Sequence, residues 1–205
     1  MKLYYAPGSC AFASLVSLCE TGADFEAKIV KLAEGEQKSD WFQAISPRGR
    51  VPVLVVDDAP VTETIAVLSY VANRYPEAKL LPLGDPFALA RAYELMAWLA
   101  SSVHVTIAQL WRSERFTDDA QGIAALKAAA PGRLETAFAE IERRIAGEWA
   151  LSSGYSVLDP YLGVFLRWAK RLEMDLSAYP RWQAHNERLM ARPAVQRAIA
   201  IEQAG

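Results

Sequence analysis

The chain has 205 residues, of which 52% are hydrophobic and 22% charged, and its formal net charge is -2. This composition is typical of a globular protein with a sizeable core, arranged as one large domain or two small ones. The slightly acidic balance does not favour nucleic-acid binding, which usually needs a basic surface. No segment approaches the ~20 apolar residues of a membrane span, so no membrane association is expected.

Cysteine and histidine usage indicate a cytoplasmic protein without a metal site. Strand-forming residues begin at Lys2, so no signal peptide is expected. Cys10 and Cys19 fall on nearly opposite faces of one predicted helix and are not expected to pair. The two histidines, His104 and His185, have no Cys or His partner at metal-ligand spacing.

Residues 1–19 predict a strand, a tight turn and a helix. Strand-forming residues occupy 2–6, turn residues follow, and Ser9 stands at the expected N-cap. Cys19 lies in an apolar stripe and is expected to be buried. Cys10 lies away from that stripe, where the helix dipole and free N–H groups favour a thiolate. A thiol-activating site and a plain serine cap with an incidental cysteine both fit this pattern.

The rest of the first 78 residues predicts a four-stranded sheet with helices on its faces, in the order βαβ, short helix, ββα. The alternating residues 25–30 predict the second strand, and Pro76 ends the last helix. The remaining elements are a short helix at 41–45, a turn at 46–49, a buried strand at 53–56, a turn at 57–60, a returning strand from 61 and a helix at 65–75.

Residues 79–86 contain two prolines and a glycine, and they predict a linker to an all-helical domain at 87–205. Ser156 and Asp159 have the spacing of a capping box, with Asp in place of Glu. Glu140 and Arg144 form an i, i+4 pair. The predicted helices are 87–112, one spaced by Leu134, Phe138, Ile141 and Ile145 with Gly147 as its stop, 157–172, 180–191 and 193–203.

Three further features each have a functional and a plain structural interpretation. The peptide bond between Val51 and Pro52 could be an ordinary trans bond at the start of a strand. Alternatively, it is a cis bond that presents the Val51 backbone to a peptide ligand. Glu63-Thr64 is an ordinary helix start, or a grip for the ammonium and carboxylate of an amino acid. His104 and the aromatic residues Trp111, Phe116 and Trp168 are most simply structural.

Together these stretches resemble the glutathione S-transferase family across essentially the whole chain, and most closely its bacterial beta class. The resemblance implies an α+β thioredoxin-like domain that holds glutathione, an all-α domain, an acceptor pocket between them, and a homodimer. The stretches that carry it are Lys2–Cys10, Gly35–Lys38, Ser46–Leu54, Glu63-Thr64, Ser156–Asp159 and Leu166–Ala169.

The resemblance also implies a role for individual residues. Val51, before a cis-Pro52, pairs with the cysteinyl backbone of glutathione. Glu63 and Thr64 hold its γ-glutamyl end. The other implied glutathione-binding residues are Lys38 and Arg50, at the glycine carboxylate, and Tyr5. The implied catalytic residues are Cys10, Ser9 and His104, and the implied acceptor-pocket residues are Trp111, Phe116 and Trp168.

Five positions depart from the family's pattern. Ala11 follows Cys10 where serine is common, and Val105 follows His104 where the beta class often has lysine. Ser46 stands where the family usually has Asn, Thr64 replaces the usual Ser but keeps the hydroxyl, and Pro160 lies early in the capped helix.

The function implied is conjugation of glutathione to a hydrophobic electrophile in detoxification, without a metal. Either Ser9 or Cys10 could be the group that stabilises the glutathione thiolate. Thiol–disulfide exchange or peroxide reduction through a mixed disulfide at Cys10 is the alternative within the enzymes. A non-catalytic binding or scaffold protein that kept the fold is the alternative outside them.

Overall fold

The computed structural model describes residues 1–145 and 147–204. Its first part is a four-stranded sheet in the order β2-β1-β3-β4, with β1 parallel to β2 and antiparallel to β3. The predicted α+β fold class is confirmed. The elements of this part are β1 (Lys2–Tyr5), α1 (Ala11–Thr21), β2 (Glu26–Ile29), α2 (Asp40–Ile45), β3 (Val53–Val56), β4 (Ala59–Thr62) and α3 (Thr64–Arg74).

Both faces of the sheet are covered, which explains the apolar run in β3. Leu54 is fully buried in the main core with α1 and α3, whereas Val53 packs on the opposite face against Phe42 of α2. The hairpin turn is shorter than predicted. It consists of Asp57 and Asp58, which both have positive φ angles, and β4 already begins at Ala59. Pro60 is tolerated within β4 because β4 lies at the edge of the sheet.

Helix α1 is buried on all sides. It packs against α3 of the sheet part and against two later helices, and every residue from Ala11 to Cys19 is buried. The prediction that Cys10 faces away from the core is therefore wrong, since its side chain is only 6% exposed. The cause is tertiary packing. Helices of the second part cover the face of α1 that carries small and polar residues, which the sequence pattern alone would leave exposed.

The second part is helical, as predicted. The long predicted helix at 87–112 comprises two α-helices joined by a π-helical turn at Leu99–Val103. Gly205, the predicted end of this domain, lies outside the described residues. The helices are α4 (Pro86–Trp98), α5 (His104–Trp111), α6 (Ala120–Arg144), α7 (Leu158–Arg171), α8 (Pro180–Met190) and α9 (Pro193–Gln203). Over the described residues, none of these helices has the length and apolarity to cross a membrane.

Helix α6 begins much earlier than the apolar spacing predicted. Asp119 caps it by accepting a hydrogen bond from the Gly122 N–H at 2.6 Å, and the helix continues through Pro131. Its first half is rich in alanine and mostly exposed, so helix propensity rather than a buried stripe forms it. The predicted ion pair between Glu140 and Arg144 is confirmed, at 2.6 Å.

The predicted capping box forms at the start of α7 and is fully buried. Asp159 accepts hydrogen bonds from the Ser156 N–H at 2.6 Å and from the Ala150 N–H at 2.8 Å. The His185 Nε2 lies 2.7 Å from Asp159 Oδ1, which ties α8 to the same carboxylate. Pro160 is the third residue of α7, where a backbone N–H has no partner within the helix, so it does not disturb the cap.

We expect Asp159→Ala to lower the free energy of unfolding by about 3 kcal/mol or more, because it leaves buried donors and His185 without their acceptor. Urea unfolding followed by circular dichroism measures this loss. Asp175→Ala is the matched control, because Asp175 accepts one backbone hydrogen bond at the surface, and we expect it to cost about 1 kcal/mol or less. Equal losses in the two variants would contradict a stabilising role of the buried box.

Candidate functional site

The turn between β1 and α1 is held by contacts from the two helices α7 and α9. The Gly8 N–H donates to Glu202 Oε1 at 3.0 Å, and the Trp168 indole N–H donates to the Gly8 carbonyl at 2.8 Å. Glu202 is buried, and the Arg167 guanidinium pairs with its other oxygen at 2.8 Å. Both backbone polar groups of Gly8 are thus fixed from the helical part, two residues before the candidate thiol.

Ser9 uses its hydroxyl to build this turn. The Ser9 Oγ donates to the Ala6 carbonyl at 2.7 Å and accepts from the Ala11 N–H at 3.3 Å. The N-cap of α1 is Cys10, one residue later than the predicted Ser9, although the Ser9 hydroxyl still accepts from the first N–H of the helix. Because the hydroxyl proton already has an acceptor, Ser9 is poorly placed to donate to a ligand sulfur.

Cys10 lies under the loop that precedes β3. Its Sγ donates a hydrogen bond to the Val51 carbonyl at 3.6 Å. Burial raises the pKa of the Cys10 thiol, and the Thr64 hydroxyl and the N–H groups of Cys10 and Ala11 oppose this rise only in part. The helix end does favour the anion, as predicted, but burial outweighs it. Cys10 is therefore a neutral thiol and a hydrogen-bond donor at neutral pH.

The peptide bond between Val51 and Pro52 is cis. Within the described residues, the Val51 N–H donates to no protein acceptor, although the sheet begins only two residues later. Glu63, which precedes α3, has a positive φ of 70°, and Thr64 follows it as a buried residue beside Cys10. A free backbone donor, a helix N-terminus and a thiol thus converge on one region.

Two turns present cations at the outer end of this region. A side chain at Gly49 would place its Cβ only 2.7 Å from the Gln37 carbonyl, so the close approach of the two turns requires glycine. The Ser46 hydroxyl accepts from the Arg50 N–H at 3.1 Å and donates to the Arg50 carbonyl at 2.9 Å. Serine therefore fixes this turn where the family usually has Asn. Lys38 and Arg50, next to the contact, are exposed and form no ion pair within the described residues.

Glu63 forms an ion pair with Arg48. Its Oε1 lies 3.4 Å from Arg48 Nη1, and both side chains are largely exposed. Such a surface pair contributes little to stability, so Glu63 is free to exchange this partner for a ligand.

Aromatic side chains from α5 and α7 form a wall beside the thiol. The centroid of the Trp168 ring lies 4.8 Å from that of the His104 ring and 5.7 Å from that of the Trp111 ring. Burial, together with the charges of Arg50 and Arg115, lowers the pKa of His104 to about 4, so its imidazole is neutral near pH 7. Phe116 follows α5 and is 44% exposed.

Tyr5 is the implied glutathione-binding residue whose side chain is turned toward the helical part. Its side chain is buried, and its hydroxyl donates to the Ile201 carbonyl of α9 at 3.0 Å. Conversely, local sequence patterns do not predict the roles of Gly8, Arg167 and Glu202, which hold the thiol loop. Arg167 lay in a stretch that carries the resemblance, but nothing local marks Glu202, because its partners lie more than 30 residues away. Within the described residues, no cluster of three or more His, Cys, Asp or Glu side chains is arranged to hold a metal ion.

Comparison with known proteins identifies the family. Residues 1–73 match the N-terminal domain of glutathione S-transferases. Over 206 aligned residues and 98% of both chains, the sequence is 30% identical to glutathione S-transferase GstA of Escherichia coli O157:H7. This chain belongs to the glutathione S-transferase family.

Solved structures agree with the assignment of this transferase. A glutathione transferase homologue from sulfitobacter, solved with bound glutathione, is 32% identical, with a TM-score of 0.92 over 97% of this chain and 96% of its own. A beta-class glutathione S-transferase of Sphingomonas chungbukensis is 32% identical, with a TM-score of 0.86 over 98% of both chains. The thioredoxin-like fold with a helical second part and the resemblance to the beta class are therefore confirmed.

We expect His104 of the transferase to titrate with a midpoint near pH 4, because burial and two neighbouring arginines disfavour the imidazolium. The chain has two histidines, so two imidazole signals are followed by nuclear magnetic resonance between pH 3 and 8, and a His104→Gln variant assigns them. Since this pKa is lowered, the ring is neutral throughout pH 6–8. A midpoint near 6.5 for His104 would contradict the desolvated position at the wall.

Proposed function

We propose that this protein binds glutathione beside Cys10 and transfers it to an electrophilic small molecule held against the aromatic wall. The observation that carries this proposal is the meeting of a neutral Cys10 thiol, a free Val51 N–H and the N-terminus of α3 at one place. We propose further that residues 1–78 hold glutathione, that residues 87–205 line the acceptor pocket after a linker at 79–86, and that the enzyme acts as a homodimer in the cytoplasm.

Each part of glutathione has a matching group in this proposal. The cysteinyl backbone accepts a hydrogen bond from the Val51 N–H, as in the addition of a strand to an edge. The γ-glutamyl carboxylate meets Thr64 and the helix N-terminus, and its ammonium meets Glu63. The glycine carboxylate meets Lys38 and Arg50, whose side chains are exposed cations without an ion pair in the described part of the chain.

The proposed chemistry follows from the state of Cys10. A thiol free in water is only a few per cent ionised at neutral pH, since its pKa is near ~8.5. When glutathione binds, the Cys10 S–H exchanges its long contact of 3.6 Å with the Val51 carbonyl for the glutathione sulfur, whereas the Ser9 proton is held at 2.7 Å by Ala6. This hydrogen bond and the positive end of α1 favour the glutathione thiolate. The thiolate then attacks the electrophilic carbon, its former proton passes to solvent, and the leaving group departs with its electron pair. His104 contributes a neutral imidazole at the pocket wall.

The two alternatives have less support. Disulfide exchange or peroxide reduction through Cys10 needs its thiolate, whereas burial raises the pKa of that thiol. A scaffold protein has no need of a free Val51 N–H, a helix N-terminus and a thiol in one region. Detoxification is the role that fits conjugation of foreign electrophiles.

The choice between Ser9 and Cys10 has a direct test, the pKa of the bound glutathione thiol. It is measured by thiolate absorbance in the ultraviolet with the wild type, Cys10→Ala, Cys10→Ser and Ser9→Ala. We expect Cys10→Ala to raise the pKa by about 1 unit, equivalent to about 1.4 kcal/mol. Cys10→Ser keeps a donor and should raise it less.

Ser9→Ala is the matched control in that series, because the Ser9 proton is already donated to Ala6. We expect it to leave the pKa of the bound thiol nearly unchanged, while it lowers the temperature of unfolding. If Ser9→Ala raised the pKa and Cys10→Ala did not, the stabilising role would move to Ser9. A wild-type protein that neither binds glutathione nor conjugates chlorodinitrobenzene would refute the transferase proposal.

We expect Glu63→Gln to raise the KM for glutathione at least about fivefold, since a charge-assisted hydrogen bond to the ammonium contributes about 1.5 kcal/mol or more. Steady-state kinetics at saturating acceptor measure this change. Glu34→Gln is the control, because Glu34 is also an exposed glutamate in an ion pair, with Lys31 at 3.3 Å. A KM that is unchanged in Glu63→Gln, or changed equally in both variants, would rule out binding of the glutathione ammonium by Glu63.

A further inference from the structure

The ion pair between Glu202 and Arg167 contacts the chain on both sides of Cys10. Glu202 Oε1 accepts the hydrogen bond of the Gly8 N–H at 3.0 Å, two residues before the thiol. The Arg167 guanidinium lies 2.8 Å from the other carboxylate oxygen, and it also lies over the Phe12 ring, two residues after the thiol, at 4.3 Å from the ring centroid. One ion pair from α7 and α9 therefore holds the start of α1 at two points, with Cys10 between them.

The backbone at Gly8 needs such contacts to keep one conformation. Its φ is 74°, and glycine adopts positive and negative φ angles about equally well. The Gly8 carbonyl accepts from the Trp168 indole and the Gly8 N–H donates to Glu202, so side chains of the helical part fix both peptide groups. Because the Glu202 side chain is only 6% exposed, its loss would leave the Gly8 N–H without an acceptor and release the turn before Cys10.

A second ion pair holds the opposite end of α1 in the same manner. The Arg192 Nε lies 2.7 Å from Glu20 Oε1, and the Glu20 side chain is 12% exposed. The Arg192 guanidinium also lies over an aromatic ring, that of Tyr155, at 3.6 Å from its centroid. Glu20 is ten residues beyond Cys10, so this pair joins the helical part to α1 without reaching the thiol. It separates the structural effect of such a pair from an effect on the chemistry.

We propose that Glu202 is a positioning residue of the reaction, which holds through Gly8 the turn from which Cys10 donates to the sulfur of glutathione. This inference rests on the proposed transferase function and adds to it a residue of the last helix. A hydrogen bond weakens when its distance or direction changes, so a displaced turn stabilises the glutathione thiolate less. The pairing with Arg167 offsets the negative charge of Glu202, which would otherwise oppose the thiolate.

The test compares Glu202→Ala with Glu20→Ala by the pKa of the bound glutathione thiol, measured through thiolate absorbance in the ultraviolet. We expect Glu202→Ala to raise this pKa by about 0.5 unit or more and Glu20→Ala to leave it at the wild-type value. Both variants remove a carboxylate from an ion pair with α1 or the helical part, so both should lower the temperature of unfolding. Equal shifts of the thiol pKa, or none in Glu202→Ala, would overturn the positioning role.

The pH dependence of conjugation is a second readout that a loss of stability alone would not produce. Because a raised thiol pKa leaves less thiolate, the single-turnover rate constant of Glu202→Ala with chlorodinitrobenzene should fall about two- to threefold near pH 6.5. The deficit should disappear above the thiol pKa of both proteins. The KM for glutathione should stay within about twofold of the wild type, since Glu202 acts on the turn and not on the groups proposed to bind glutathione. A deficit of equal size at every pH would contradict the proposal.

Glu202→Gln separates the hydrogen bond from the ion pair. Its amide oxygen can still accept from the Gly8 N–H, whereas its charge toward Arg167 is lost. We expect the pKa of the bound thiol to return close to the wild-type value while the temperature of unfolding stays lowered. A shift as large as in Glu202→Ala would refute positioning through Gly8. If Glu202→Ala does not fold, Glu202→Asp takes its place, because the shorter side chain keeps the charge but cannot reach both partners.

Exchange of the Gly8 amide hydrogen, followed by nuclear magnetic resonance in the free protein, separates this proposal from the proposed function. We expect faster exchange in Glu202→Ala and wild-type exchange in Glu20→Ala. If exchange at Gly8 is unchanged in Glu202→Ala, the positioning role is refuted and the transferase stands. If the wild type neither binds glutathione nor lowers the pKa of its thiol, the proposed function fails and this inference fails with it.

Discussion

The candidate site of this protein depends on one hydrogen bond, from the Gly8 N–H to the carboxylate of Glu202. The bond joins the loop before the thiol to a helix 194 residues further along the chain. Arg167 holds the same carboxylate in place and also lies over the Phe12 ring of α1 at 4.3 Å. The position of Cys10 is therefore set by the helical part, although the residue itself belongs to the sheet part.

This dependence explains why α1 is buried from Ala11 to Cys19. A helix that packed only on the sheet would need one apolar stripe, and its other face would be polar. Here α1 packs against α7 and α9 as well as α3, and its small residues Ala11, Ser14 and Ser17 are buried too. The neutral Cys10 thiol follows from the same burial, because both halves of the molecule exclude water from it.

Local patterns in the sequence predicted most of the elements and much of the candidate site. Prolines at 76, 180 and 193, and the capping box at Ser156, marked helix boundaries that the structure confirms. The failures have a common physical origin. The burial of Cys10, the hydroxyl contact of Tyr5 and the role of Glu202 all depend on contacts between residues far apart in sequence, which no window of neighbouring residues contains. The early start of α6 was missed for a different reason. Its first half forms through the helix propensity of alanine, so the sequence shows no periodic pattern of apolar residues there.

The edges of the sheet restrict how two copies of the chain can associate. Pro60 removes one backbone donor from the outer strand β4, and the opposite edge strand, β2, carries the exposed charges of Glu26 and Lys28. Neither edge suits the pairing of strands between molecules. A second copy would therefore dock through side chains of helices and loops, and the continuous intermolecular sheet on which fibrils grow is disfavoured from both sides.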